Sequence, residues 1–387
     1  MEWRRNVWFQ TNQKSLERRK EPGSLKEVTK ETKQKSSPTN PFSFLEFSTV
    51  ASQQPAFIAP SPDHSPPPQL PESLFPAAFF FSETSHKMEE SIPFIIDLEK
   101  ISEEKECKKL REACERWGCF RIINHSIPLT LMAEMKSVIG ALLELPMEIK
   151  KRNTEVIAGS GYMAPSKVNP FYEALGLYDL GSSQAVHNFC SQLDASPHQR
   201  QIMEAYGKAI HDLAVKIGQK MAESLGILGA DFVDWPCQFR INKYNFTPEA
   251  VGSLGVQLHT DSGFLTILQD DENVGGLEVM DNNSGSFLPI PPLPGSLLGN
   301  LGDIARVWSN GRFCNVKHRV QCHEASTRFS IATFMLASRK GNVEAPAELV
   351  DHDQPRLYQP FIYEDYRKLR VSNEMHTGEA LELLRIA

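Results

Sequence analysis

Gly255-Val-Gln-Leu-His259-Thr-Asp261-Ser-Gly-Phe264-Leu-Thr-Ile-Leu268 is a β-favouring run that carries an imidazole and a carboxylate two places apart. On a strand, residues i and i+2 point to the same face. His259 and Asp261 would then address one point in space, as two of the three groups of a two-histidine, one-carboxylate metal site. A lone His-x-Asp is a common accident of composition. It occurs once in these 387 residues, so its meaning depends on what lies downstream.

The third metal-binding group should come from another strand of the same core. His318, in Asn-Val-Lys-His318-Arg-Val, lies within a strand-like run, whereas its competitor His323 adjoins the Glu324-Ala-Ser-Thr turn, where a surface histidine is the ordinary outcome. His125 closes a strand before Ser126-Ile-Pro128 with no carboxylate beside it, and is expected to be structural. Ten residues past His318, Arg328-Phe-Ser330 places a guanidinium and a hydroxyl on one strand face. A guanidinium clasps a carboxylate through two parallel hydrogen bonds, and a hydroxyl adds a third. The alternative is a surface arginine on an edge strand, an awkward place for one flanked by Phe329, Ile331 and Phe334.

Around these residues the chain reads as many short strands. Gln238-Phe-Arg240-Ile-Asn242-Lys-Tyr244-Asn alternates, with Phe239 and Ile241 on one face and Arg240, Asn242 and Tyr244 on the other. Segments 258–268, 277–280, 287–290, 296–301, 307–308, 315–321 and 328–336 are further candidates. Gly275-Gly276, Asn283-Ser-Gly285, Pro294-Gly295 and Asn310-Gly311 punctuate them, the last as a hairpin signal. Such spacing implies a sandwich or open barrel.

Upstream the pattern is helical. Cys107, Leu110, Cys114 and Trp117 recur at helical spacing before Gly118, a left-handed cap; Met132, Met135, Ile139 and Leu142 form a second stripe that Pro146 stops. A long helix over 197–225 carries Ile202, Tyr206, Ile210, Leu213, Ile217 and Met221 on one face, suited to bracing a sheet. Segment 159–192 shows no clear period and is expected to be a long irregular loop. The fold class is therefore α+β, with a mainly β core behind a helical N-terminal layer.

A net charge of -7 gives no basic footprint for nucleic acid, and no apolar run approaches the length that spans a bilayer. Seven scattered cysteines without a Cys-x-x-Cys pair read as reduced thiols of a cytoplasmic protein. The first 35 residues hold 10 Lys/Arg against 5 Glu, and 36–76 holds 10 prolines. Residues 1–87 are accordingly expected to form a disordered tail; a targeting peptide is the alternative, opposed by the acidic residues.

Taken together, these residues resemble the plant iron(II) and 2-oxoglutarate-dependent dioxygenases. Trp117-Gly-Cys-Phe-Arg-Ile-Ile-Asn124-His125-Ser-Ile-Pro128 and Leu145-Pro-Met-Glu-Ile-Lys150 are similar to that family's N-terminal signatures. His259-x-Asp261, His318 and Arg328-x-Ser330 match its iron and 2-oxoglutarate motifs. The resemblance implies a distorted double-stranded β-helix, or jelly roll, over 229–345, with a helical region at 88–228 and an extension at 346–387. It implies an oxidoreductase using Fe(II), 2-oxoglutarate and O2, with ascorbate as reductant. His259, Asp261 and His318 would be the catalytic metal ligands. Tyr244 would join Arg328 and Ser330 on the distal carboxylate, with Asn242 near the keto-acid end.

The family's Asn-x-Tyr-Pro-Pro-Cys element stands here as Asn242-Lys-Tyr244-Asn-Phe246-Thr247, without its prolines and cysteine. With the sequence around His259 and His318, this departure is most similar to the branch that oxidises the auxin indole-3-acetic acid to 2-oxindole-3-acetic acid. For such a substrate we expect Arg240 to meet the carboxylate and Phe334 to stack on the ring; a structural ion pair and ordinary core packing are their plainer alternatives. Another hormone, flavonoid or alkaloid is the rival substrate class, and a non-catalytic small-ligand binder the rival function. No obligate protein partner is evident in the sequence.

Overall fold

The computed structural model describes residues 94–157 and 159–386. The tail expected over 1–87 lies outside them. Among the described residues eleven strands, numbered in chain order, form two sheets. The larger runs β1 (Ile95–Asp97), β2 (Cys119–Ile123), β9 (Leu297–Leu301), β6 (Leu265–Gln269), β11 (Thr327–Met335), β4 (Cys237–Asn245) and β3 (Tyr172–Leu177). The smaller runs β5 (Leu254–His259), β10 (His318–Gln321), β7 (Leu277–Met280) and β8 (Phe287–Pro289). Among the described strands only β1 and β2 pair in parallel. This is the double-stranded β-helix, and its two sheets enclose the site.

Alternation on β4 explains how one strand serves two cores. Phe239 and Ile241 join the cluster beneath the helices, while Tyr244 joins Leu268, Leu277, Val279, Leu298, Val320 and Ala332 between the sheets. Helices α1 (Glu104–Arg116), α2 (Leu129–Leu143), α3 (Met147–Lys150), α4 (Ser183–Gln192) and α5 (Pro197–Ser224) precede β4, with α6 (Asp303–Trp308) and α7 (Tyr363–Ser372) beyond it. The start of α5 is fixed by a reciprocal bond between Ser196 and Gln199, with Pro197 in its first turn. Its apolar stripe is buried against α1 and α2, and Tyr206 donates to Gln269 of β6 at 3.0 Å, so α5 does brace the large sheet.

Four local expectations are corrected. Segment 258–268 is not one strand: β5 ends at His259, a turn carries 260–264, and β6 begins at Leu265 in the other sheet. Val307-Trp308 belongs to α6, and Asn310-Gly311 leaves that helix instead of turning a hairpin, with Asn310 at φ 52. A short apolar pair cannot by its period distinguish a strand from a buried helix. Asn310 is held there because its side-chain amide donates to the carbonyls of Leu349, Gln354 and Pro355. Within 159–192 lie β3 and α4. β3 is defined by pairing along β4 over Tyr172–Leu177, a non-local cause, and α4 by the Ser182 hydroxyl accepting from the Ala185 N–H.

Candidate active site

β4 and β11 lie in register as Tyr244 with Arg328, Asn242 with Ser330, Arg240 with Ala332 and Gln238 with Phe334. Because side chains alternate, all eight face one cavity of about 630 Å³ between the sheets. Arg328 is 2 % exposed, and its Nε and Nη1 have no hydrogen-bond partner among the described residues. Its guanidinium carbon lies 5.1 Å from the Tyr244 ring centre. Burial pushes the Tyr244 phenol up from 10, so it stays a neutral donor. The Asn242 amide donates to the Ser330 hydroxyl at 3.2 Å and accepts from the Tyr172 hydroxyl at 2.7 Å. Two unpartnered N–H groups in a buried guanidinium, with a phenol and a hydroxyl alongside, fit one end of a dicarboxylate.

The opposite wall comes from the small sheet. His318 of β10 is the cross-strand partner of His259 on β5, and their ring centres are 4.2 Å apart. Asp261, beyond the strand end, turns Oδ1 toward both rings, 3.8 Å from His259 Nε2 and 3.9 Å from His318 Nε2. Its Oδ2 accepts from the Thr266 hydroxyl at 2.5 Å. In both imidazoles Nδ1 faces a backbone carbonyl, Gln257 at 2.8 Å and Val316 at 3.3 Å. Each Nδ1 therefore carries the proton, and each Nε2 lone pair points inward. Burial, with the His318 imidazole beside it, holds His259 below its ordinary 6.5, which favours the neutral ring that can ligate a metal. The three residues offer ligand atoms all within 4.8 Å of one another, a donor set that fits a divalent transition metal with room for further ligands.

The remaining expected residues are also placed. Arg240 is 8 % exposed on the cavity wall, with Met163 Sδ against its Nη1 and no carboxylate partner among the described residues. Phe334 lines the cavity near Gln238 and Leu336. His323 lies outside, 3.5 Å from Glu278, and His125 is tied to the Gly295 carbonyl and the Ile127 N–H. In place of the prolines and cysteine after Tyr244, Phe246 is buried with its ring 5.7 Å from the Tyr244 ring.

Comparison with known proteins matches residues 235–337 to the 2OG-Fe(II) oxygenase superfamily. Residues 92–198 match the non-haem dioxygenase in morphine synthesis N-terminal family. The chain is 54% identical over 280 residues to the 2-oxoglutarate-dependent dioxygenase DAO of Oryza sativa subsp. indica, covering 72% of this chain and 93% of that protein. The chain belongs to the 2OG-Fe(II) oxygenase superfamily. The crystal structure of dioxygenase for auxin oxidation in rice is 52% identical, with TM-score 0.71 over 76% of this oxygenase and 100% of that chain. Dioxygenase for auxin oxidation 1 from Arabidopsis thaliana, as its binary complex with 2-oxoglutarate, is 61% identical, with TM-score 0.66 over 68% and 100%. This oxygenase is thus a 2-oxoglutarate-dependent dioxygenase, an oxidoreductase using iron(II), 2-oxoglutarate and O2.

Several residues of this oxygenase's cavity escaped the sequence reading. Tyr172 lies in the segment expected to be irregular, and Arg367, Arg370, Val371 and His376 come from the C-terminal extension. One available signal was Tyr363, Tyr366 and Arg370 at helical spacing, which puts a guanidinium in the buried stripe of α7.

Proposed function

We propose that this oxygenase converts indole-3-acetic acid to 2-oxindole-3-acetic acid, with 2-oxoglutarate and O2 consumed and succinate and CO2 released. The observation that carries this reading is Arg240: a buried guanidinium on the cavity wall, in register with the Arg328 side of the site and free of any carboxylate among the described residues. A cation against apolar walls suits an aromatic acid, and about 630 Å³ accommodates it beside 2-oxoglutarate. The likeness to dioxygenases named for auxin oxidation supports the same substrate.

In this mechanism His259, Asp261 and His318 hold iron. The bound iron supplies O2 activation coupled to oxidative decarboxylation of 2-oxoglutarate. Arg328, Ser330 and Tyr244 take the distal carboxylate, which fills the unpartnered N–H groups of Arg328 and uses the Tyr244 phenol as a neutral donor. Asn242, fixed by Tyr172 and Ser330, borders the keto-acid end. Arg240 binds the substrate carboxylate and Phe334 packs on the indole, so anchoring at two points selects the ring carbon that is oxidised. Leu268, Leu277, Val320 and Ala332 line the cavity and limit water there. We place the reaction in the cytoplasm, a reading supported by seven free thiols. No described helix is long and apolar enough to cross a membrane.

The test is aerobic incubation with Fe(II), ascorbate, 2-oxoglutarate and indole-3-acetic acid, followed by mass spectrometry. The expected product has gained one oxygen, in step with succinate. Succinate release that depends on a gibberellin or flavonoid but not on the indole acid would overturn the substrate assignment.

A further inference from the structure

His259 ends β5 and Asp261 stands in the following turn, so strand geometry does not aim the pair. What holds the turn is the C-terminal segment. Thr260, between the two, gives its N–H to the His376 carbonyl at 2.8 Å. Its carbonyl accepts from Arg370 Nη2 at 2.7 Å, and its hydroxyl accepts from Arg370 Nη1 at 3.0 Å. Every polar group of Thr260 is therefore engaged by residues 370–376.

Arg370 is itself fixed. It reaches from α7 to the carboxylate of Asp303 at the start of α6, which also accepts from the Tyr366 hydroxyl at 2.6 Å and the Asn315 amide at 2.7 Å. The Asp303 N–H donates to the Asp261 carbonyl at 2.9 Å. Arg370 and Asp303 thus hold the turn at consecutive carbonyls, those of Thr260 and Asp261. Arg370 is 7 % exposed and Asp303 fully buried. A buried ion pair is weak support for stability, since desolvation offsets the attraction, but strongly directional hydrogen bonds specify position.

We propose that Arg370 is a positioning residue for the metal site, and that docking of α7 and metal binding at His259, Asp261 and His318 form one coupled equilibrium. This rests on the reading that those three residues hold iron. Groups behind metal ligands typically contribute about 10–100-fold in affinity. Coupling is reciprocal, so metal binding must also strengthen the docking of 363–376.

The test uses the full chain with Co(II) as a redox-stable probe, titrated calorimetrically without O2. Arg370→Met should weaken Co(II) binding about 10–100-fold. Its kcat for succinate formation should fall while KM for 2-oxoglutarate stays near the parent value, because the Arg328 clasp is untouched. Arg370→Lys, which restores the charge and part of the hydrogen bonding, should recover part of the affinity. In the unaltered chain, Co(II) should slow amide hydrogen exchange across 363–376. That measurement decides the matter even if Arg370→Met does not fold: unchanged exchange on Co(II) binding overturns the proposal. Parent-like Co(II) affinity in folded Arg370→Met overturns it as well. His318→Ala separates the two readings: Co(II) binding retained there sinks the metal assignment itself, whereas binding lost there but intact in Arg370→Met sinks only the coupling.

Discussion

Arg328 holds two nitrogens, Nε and Nη1, without a partner among the described residues at 2 % exposure, and burying a polar group unpaired costs about 1–3 kcal/mol. Its surroundings make sense as a site completed by a carboxylate. Truncating one partner of a buried, hydrogen-bonded charge pair costs about 2–5 kcal/mol, so Arg328→Ala should raise KM for 2-oxoglutarate by at least about 30-fold. Arg328→Lys should recover only part, because a point charge cannot bond in parallel. Steady-state kinetics with varied 2-oxoglutarate checks this, and an unchanged KM would remove Arg328 from the clasp. Arg240 carries a prediction of different selectivity: Arg240→Ala should raise KM for indole-3-acetic acid roughly tenfold or more while leaving indole-3-acetamide nearly unaffected. Equal loss on acid and amide would refute the role. These residues were legible in the sequence because their chemistry lies in the side-chain type and its spacing. Thr260, Asp303 and Arg370 were not, because their contribution is made through hydrogen bonds to backbone carbonyls from donors 42 or more residues away in the chain, a pairing that no local spacing encodes.

At the scale of elements, two glycines separate folding from site geometry. Gly118 ends α1 at φ +66, and a Cβ there would lie 2.2 Å from the Cys314 carbonyl oxygen. Gly118→Ala should cost about 1–3 kcal/mol in denaturant unfolding, with KM for 2-oxoglutarate unchanged in the folded fraction. Gly302, just before α6, has an ordinary φ of -101 but sits under the ligand turn: a Cβ would meet the carbonyl oxygens of Gly263 at 2.3 Å and Asp261 at 2.6 Å. Gly302→Ala should therefore weaken metal binding as well as stability, measured as Co(II) affinity beside the unfolding midpoint. If it destabilises the protein but binds Co(II) like the parent, the turn is not set by α6. The long elements were readable from period alone, as the stripes of α1, α2 and α5 and the alternation of β4 show. β3 and α6 were not, since both are short and owe their form to neighbours: β3 to the edge of β4, α6 to the carbonyls of Asp261 and Gly263.

For the whole molecule, titration and topology act together. His125 and His259 both have folded values below the ordinary 6.5, through burial in each case. As pH drops below 6.5, the unfolded chain takes up protons at these positions before the folded one does, so the metal-free protein should lose stability as pH falls below 6.5. Urea unfolding at pH 7.5 and 5.5 measures this, and His125→Gln should flatten the slope; an unchanged slope would mean His125 does not contribute. The sequence by itself determined the class of fold and the inventory of the site: period-2 and helical patterns mark the buried faces, and His259, Asp261, His318, Arg328 and Ser330 are the residue types that bind a metal and a carboxylate. Only the tertiary structure decided how those groups converge. His259 and Asp261 straddle the end of a strand; His259 meets His318 because β10 pairs with β5 in the small sheet, and Asp261 meets both because the C-terminal helix ties down the turn that carries it. Those hydrogen bonds join segments far apart in the chain, and they exist only once the chain has folded.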